Sequence, residues 1–275
     1  EADAVDVEAN DADGELKRKF AMYYAKILFF SFLTPSQVNS LQDIVGVIDQ
    51  NAENRRIARS LDLNRSFLTL FHRSVNAFIL SRLDYKIHNI NSLADDKTLK
   101  PIERASNALK KFSRLSDSEI VTPEPVAESM VDLFEHLTLN NTQKILDIAS
   151  KQGEFAYAFY RKYGRETANL VYAITTSKVA YEFTRKVYEL LELDITHVEM
   201  NYTSYDLIDQ QKLMVKDGIK IGNSTIKPDI VIGGPPFQKS DGGGRESSAV
   251  SIYHHFILQA RALNPRYISM IIPDR

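Results

Sequence analysis

The sequence predicts an α/β protein, with a doubly wound parallel sheet over residues 117–275 and a helical region over 15–116 before it. Three observations carry this. Up to about Phe112 the apolar residues recur at three and four positions, the period of a helix packed on one face. From about Asp117 onward, short continuous apolar runs alternate with helical stretches, the pattern of strands buried on both faces and linked by crossover helices. A length of 275 residues with 44% hydrophobic content suffices for one full α/β domain and a smaller helical one.

Residues 1–14 are acidic, small and poor in apolar groups, so they cannot repay the entropy of ordering and are expected to form a tail. From Glu15, the positions Leu16, Phe20, Tyr23, Tyr24, Ile27, Leu28 and Ser31 mark one face of a first helix. Thr34, Pro35 and Gln37 read as N-cap, first helical residue and capping-box partner of a second helix. Further helices are expected over 53–60, 64–83 and 101–114. Phe67, Leu70, Phe71, Phe78 and Leu83 lie at helical spacing and read as core, and Lys110, Lys111 and Arg114 as a solvated helix face.

In the second region, strands are expected at 144–148, 170–174, 196–200, 229–232 and 267–272, with helices at 154–161, 178–191 and 251–263 between them. Right-handed crossovers then bring all strand C-termini to one edge of the sheet, where such folds bind ligands.

No apolar run approaches the roughly 18 residues of a membrane span. The absence of cysteine excludes disulfides and thiolate metal sites and suits a reducing cytoplasm. The net charge of −2 conceals a tail in which Glu1–Glu15 carries seven acids, leaving 34 basic against 29 acidic residues and a net +5 elsewhere. That excess permits contact with nucleic acid without requiring it. The chain starts without methionine and stops at Ile272-Pro273-Asp274-Arg275, straight after a strand, and reads as a piece of a longer polypeptide.

Three segments carry chemistry. The first strand runs through Asp147 into Ile148-Ala149-Ser150-Lys151-Gln152-Gly153-Glu154-Phe155, where a strand-end carboxylate, a tight turn and Gly153 make a cradle for a nucleoside. Ahead of it lies Val121-Thr122-Pro123-Glu124-Pro125, which opens a helix. The fourth strand, Asp229 to Ile232, stops at Gly233-Gly234-Pro235-Pro236-Phe237-Gln238, a loop stiffened by two prolines. In this order the segments resemble the cofactor and catalytic motifs of gamma-type adenine-N6 DNA methyltransferases, a Rossmann-like fold. Tyr172 to Ser177, Ala180 to Phe183, the Gly242-Gly243-Gly244 loop and Ile252-Tyr253-His254 look like the methylase part of fused restriction–modification enzymes.

The resemblance implies S-adenosylmethionine as cofactor, held by Val121, Thr122, Asp147, Ala149, Gly153 and Phe155, with Thr175 near the ribose and Asn201 and Tyr202 near the adenine. It implies double-stranded DNA as partner. It also implies a nuclease or helicase and a target-recognition region elsewhere in the same polypeptide, in a prokaryotic cytoplasm. Gly234, Pro235, Pro236 and Phe237 take the catalytic positions: carbonyls beside the prolines accept from the target amine, and Phe237 stacks on the extruded base, worth roughly 1–3 kcal/mol. No metal is needed. Two departures stand out. Lys151 replaces the first glycine of the cofactor motif, and Gly234 replaces the Asn, Asp or Ser whose side chain supplies a second acceptor, which should slow methyl transfer. Two other readings stay open, a glutamine-N5 protein methyltransferase and a non-catalytic cofactor- or DNA-binding module. His254 and His255 read as structural or surface residues.

Overall fold

In a computed structural model, residues 20–115, 120–137, 139–140, 142–209, 214–215, 218–236, 238–239 and 250–272 are described. The acidic tail, Phe237 and the Gly242–Gly244 loop lie outside these residues. The chain forms two compact units, Glu1–Asp96 and Lys97–Arg275.

The first unit is helical. Helix α1 covers 20–33, followed by α2 (Leu41–Val47), α3 (Ala52–Ser60), α4 (Arg65–Ser74) and α5 (Ala77–Asp95). Its core is built from Ile27, Phe30, Phe32, Leu41, Ile44, Ile57, Leu68, Leu83 and Ile87. Two expectations fail here for local reasons. Thr34 and Pro35 start no helix, because the Thr34 hydroxyl donates to Asn54 Oδ1 (2.7 Å) and accepts from the Ser36 amide (3.1 Å); α2 starts instead at the Ser40 cap. The expected helix over 64–83 is two helices, because Asn76 adopts an extended backbone and its side chain caps α5 through the Ile79 amide.

The second unit begins with α6 (Pro101–Lys111), so the compact units divide at 96/97 rather than at 116/117. The reason is amphipathicity: α6 buries Ala105 and Ala108 and packs on the helices of the α/β unit. Next come α7 (Glu124–Asp132), β1 (Ile145–Ser150), α8 (Glu154–Tyr163), α9 (Arg165–Ala168), β2 (Val171–Thr175), α10 (Lys178–Leu190) and α11 (Ser204–Asp209). The remainder is β3 (Met214–Val215), β4 (Gly218–Ile221), β5 (Ser224–Ile226), β6 (Ile230–Gly233), β7 (Gln238–Lys239), β8 (Val250–Ser251), α12 (Tyr253–Ala262) and β9 (Tyr267–Met270).

The main sheet has order β2-β1-β6-β9, all parallel. Every residue of β1, β2 and β6 is buried, which explains their unbroken apolar runs, whereas β9 at the edge leaves Ile268 exposed. The chain steps from β1 to β2 in one direction and from β6 to β9 in the other. Right-handed crossovers therefore put α8 and α10 on one face and α12 on the opposite one, and the direction reverses between β1 and β6. Leu146, Ile148, Tyr172, Ile174 and Val231 pack on the second face with Leu207 of α11 and with Ala260 and Leu263 from the α12 end.

The strand expected at 196–200 does not form. Asp194 caps a 3-10 turn at Ile195–His197, leaving one parallel bridge, Val198 to Ala173. The β4–β5 hairpin was missed, although Gly222-Asn223 between alternating residues is a hairpin signal. Among the described residues, no helix is long and apolar enough to cross a membrane.

Candidate functional site

The site lies where β1 and β6 end side by side, at the reversal of the sheet order. Such a position is a crevice by construction, because the two crossovers leave in opposite directions. The turn after β1 is tightly held. Ser150 Oγ accepts from the Gly153 amide (3.1 Å). Gly153 itself sits at φ 72° and ψ 26°, left-handed backbone that glycine adopts without a Cβ penalty. Glu154, the first residue of α8, folds back so that Oε2 accepts from the amides of Lys151 (3.2 Å) and Gln152 (2.8 Å). A carboxylate there is favoured by the positive end of the helix, and the Gln152 side chain ties the turn to the Phe112 carbonyl.

Asp147 is 1% exposed. Its Oδ1 accepts from the Ala149 amide (3.3 Å), while Oδ2 and Glu154 Oε1 are buried with no partner among the described residues. Burial, reinforced by the neighbouring Glu154 charge, holds the Asp147 carboxyl well above the usual carboxylate range; hydrogen bonds from Ser150 and Ala149 and the Lys151 charge pull the other way.

The Gly233-Gly234-Pro235-Pro236 segment continues β6 into this crevice, with Gly234 and Pro235 buried. The Gly233 carbonyl accepts from the Ile271 amide (3.2 Å). Two side chains from the other motifs converge on Gly234. Lys151, 5% exposed, donates from Nζ to the Gly234 carbonyl at 2.5 Å. A Cβ at Gly234 would lie 2.6 Å from Thr122 Oγ1, 3.4 Å from Ile271 Cδ1 and 3.7 Å from Lys151 Nζ. Thr122 therefore fills the room a side chain at 234 would need. Beside this point, Lys110, Val121, Thr122, Pro123, Glu154 and Tyr157 line part of a cavity of about 320 Å³.

Of the residues singled out from sequence, the structure thus brings Val121, Thr122, Gly153's turn, Gly234 and Pro235 to one crevice. Ala149 and Phe155 are fully buried. Thr175 is buried at the end of β2, its hydroxyl donating to the Ser177 carbonyl (3.3 Å). Asn201 is exposed, its amide donating to buried Glu199 (2.6 Å). The Tyr202 hydroxyl donates to the Lys220 carbonyl of β4, and burial with the nearby Glu199 charge pushes its pKa up. Pro236 is half-buried, and Phe237 lies outside the described residues. The sequence reading missed Glu154 as the acceptor of two turn amides; an acidic residue opening a helix was its only signal. It also missed that Lys151 reaches Gly234. Among the described residues no cluster of His, Asp and Glu is arranged to hold a metal ion.

Residues 76–275 match the model of the Eco57I restriction-modification methylase family. The chain belongs to that family. A restriction-modification methylase of this kind takes its methyl group from S-adenosylmethionine. A further similarity is to a protein of Mycoplasma pneumoniae described as an uncharacterized adenine-specific methylase, 37% identical over 73 residues. That match covers 26% of this chain and 17% of the relative's length. A crystal structure from Listeria monocytogenes, described as a class I S-adenosylmethionine-dependent methyltransferase, is 14% identical with a TM-score of 0.41, over 81% of this chain and 69% of that one.

Proposed function

We propose that this methylase-family chain methylates the N6 amine of a flipped adenine in double-stranded DNA, as part of a restriction–modification protein. The observation that carries the reading is the convergence at Gly234. The Thr122-Pro123 segment, the turn after β1 and the Gly-Pro-Pro loop are far apart in sequence, yet Thr122 and Lys151 both meet Gly234. Family membership and the adenine-specific description of the Mycoplasma relative support the same reading.

The residues fit S-adenosylmethionine in most respects. Gly153 gives the turn its left-handed backbone, its Cβ position facing Val187, Tyr188 and Thr184 of α10, and the unpartnered Asp147 Oδ2 and Glu154 Oε1 suit hydroxyl and ammonium donors. Val121, Thr122 and Ala149 would line its amino-acid end, Phe155 would back the turn, and Thr175, Asn201 and Tyr202 would stand nearer its nucleoside. Bound, the cofactor supplies a methyl group on a positively charged sulfur. The protein's own part is positional: the Gly234 carbonyl accepts from the target amine, Pro235 and Pro236 hold that carbonyl still, and Phe237 stacks on the base. With no side chain at 234 a second acceptor is missing, a loss worth about 10²–10³ in rate for an analogous group.

The test is transfer of labelled methyl from S-adenosylmethionine to plasmid DNA, with nucleoside digestion. Slow appearance of N6-methyladenine is expected. Label in protein glutamine instead would replace this reading with the protein-methylating one.

A further inference from the structure

We infer, resting on that reading of the site, that Thr122 is a catalytic residue: its hydroxyl stands in for the side-chain acceptor that Gly234 lacks. An asparagine at 234 would carry its carboxamide oxygen roughly 2.4 Å from its own Cβ, as ordinary C–C and C=O bond lengths require. Thr122 Oγ1 lies 2.6 Å from where that Cβ would be. An oxygen from a distant segment thus already stands at the distance from position 234 where the missing one belongs. The hydroxyl has no structural task that accounts for it. A threonine ahead of a helix ordinarily caps it, yet α7 starts at Pro123 with no side-chain cap bond. Among the described residues no hydrogen bond engages Thr122 Oγ1, although the residue is only 6% exposed.

The target amine carries two N–H groups and needs two acceptors. The Gly234 carbonyl has two lone pairs; Lys151 Nζ takes one at 2.5 Å, which leaves the other for the amine. A hydroxyl can accept the second N–H while its own proton turns into the adjoining cavity, which Thr122 helps to line. The β-branched side chain is stiff at χ1, so the oxygen is held in place. As the N6–carbon bond forms, the carbon–sulfur bond breaks with its electron pair on sulfur, and the surplus amine proton leaves to water. Thr122 accepts a hydrogen bond throughout and keeps its own proton. An alcohol oxygen is a weaker acceptor than a carboxamide oxygen, so it offsets part of the loss at 234.

The experiment compares the full chain with Thr122→Ala, Thr122→Ser and the double variant Thr122→Ala/Gly234→Asn. The rate of N6-methyladenine formation in plasmid DNA at saturating cofactor is measured beside the calorimetric affinity for S-adenosylmethionine. Thr122→Ala should lower the rate about tenfold, the scale of one hydrogen bond, while cofactor affinity moves by less than about threefold. Thr122→Ser, which keeps a hydroxyl, should retain most of the rate. Gly234→Asn added to Thr122→Ala should bring the rate back at least to that of the unmodified chain. A Thr122→Ala rate within about threefold of the unmodified chain overturns the inference, as does a loss that Gly234→Asn fails to restore. A loss matched by an equal fall in cofactor affinity also overturns it, since the hydroxyl would then serve the cofactor. Absence of N6-methyladenine with all four proteins overturns the DNA reading itself and this inference with it.

Discussion

Gly234 and Thr122 compete for one space, and that competition can be measured. The φ of Gly234 lies outside the left-handed region, so its backbone accepts any L-residue; what opposes a side chain is the Thr122 hydroxyl. An added Cβ would stand 2.6 Å from Thr122 Oγ1, about 0.8 Å inside the 3.4 Å at which ordinary contact begins. Relieving it means turning Thr122 off its rotamer or shifting the loop, which costs about 1–3 kcal/mol. Gly234→Ala should therefore lower the unfolding free energy by that amount in urea titrations. In a Thr122→Ala background the nearest remaining atom is Ile271 Cδ1 at 3.4 Å, and the overlap is gone. There the same substitution should be neutral or stabilise by about 0.4–1 kcal/mol, because alanine restricts the unfolded chain more than glycine does. The sign of the effect reverses with the background. Additivity of the two substitutions within about 0.5 kcal/mol would refute the reasoning.

The same clash bears on catalysis: Gly234→Asn alone should give no gain in methyl transfer to DNA, whereas in a Thr122→Ala background the same substitution should raise it by about 10²–10³ over Thr122→Ala alone, read from labelled N6-methyladenine. Gly153→Ala has room, its nearest contact being Val187 Cγ1 at 3.4 Å, but takes a φ of 72°, so it should cost about 1–2 kcal/mol in urea unfolding, and Gly153→Asn less. Asp147 gives a pH signature. Its folded-state carboxyl titrates above the ordinary value of 3.8, so the stability its proton contributes is fully present below 3.8 and lost as pH rises through the higher folded value. Asp147→Asn, which keeps the Ala149 contact, should thus gain stability over the unmodified chain as pH is raised from about 4, in melting curves across pH. In the helical unit, Asn91→Ala removes a buried side chain that donates to the Ser31 (2.8 Å) and Ser36 (3.1 Å) carbonyls and accepts from the Val38 amide (3.1 Å). Because those groups are left unpaired, a loss of about 2–4 kcal/mol is expected in urea unfolding.

What the sequence disclosed and what it hid follow one physical line. The runs Ile145 to Ser150, Val171 to Thr175 and Ile230 to Gly233 announced themselves because both faces of each strand are buried, leaving no alternation to mistake for a helix. Errors arose where one side chain overrides a pattern. Asn76 caps α5 inside an apparently continuous helical run. Asp194 diverts the chain into a 3-10 turn where β-branched residues suggested a strand. Thr34 resembles a cap locally, yet its proton goes to Asn54, twenty residues on. The motifs at the site were legible one by one, since a glycine turn and a proline-stiffened loop are local. Their meeting was not: Lys151 and Gly234 are 83 residues apart, and nothing in either segment states that an ammonium will reach that carbonyl.

That meeting changes how the two departures from the methyltransferase motifs should be understood. Taken alone, Gly234 is a lost acceptor and Lys151 a bulky intruder in a glycine turn. Taken together they condition each other. A buried ammonium is costly unless it finds an acceptor, and the Gly234 carbonyl is the acceptor it finds. A side chain at 234 would place its Cβ at an ordinary 3.7 Å from that ammonium but would press on Thr122 Oγ1, and relieving that overlap shifts the loop that carries the carbonyl. Glycine at 234 thus keeps the carbonyl within reach of Lys151. Reverting Lys151 alone to glycine leaves a void beside a loop built to receive a long side chain. Reverting Gly234 alone to asparagine adds bulk where there is none to spare. Each single reversion should therefore cost stability, and a chain carrying both should lose less than the sum.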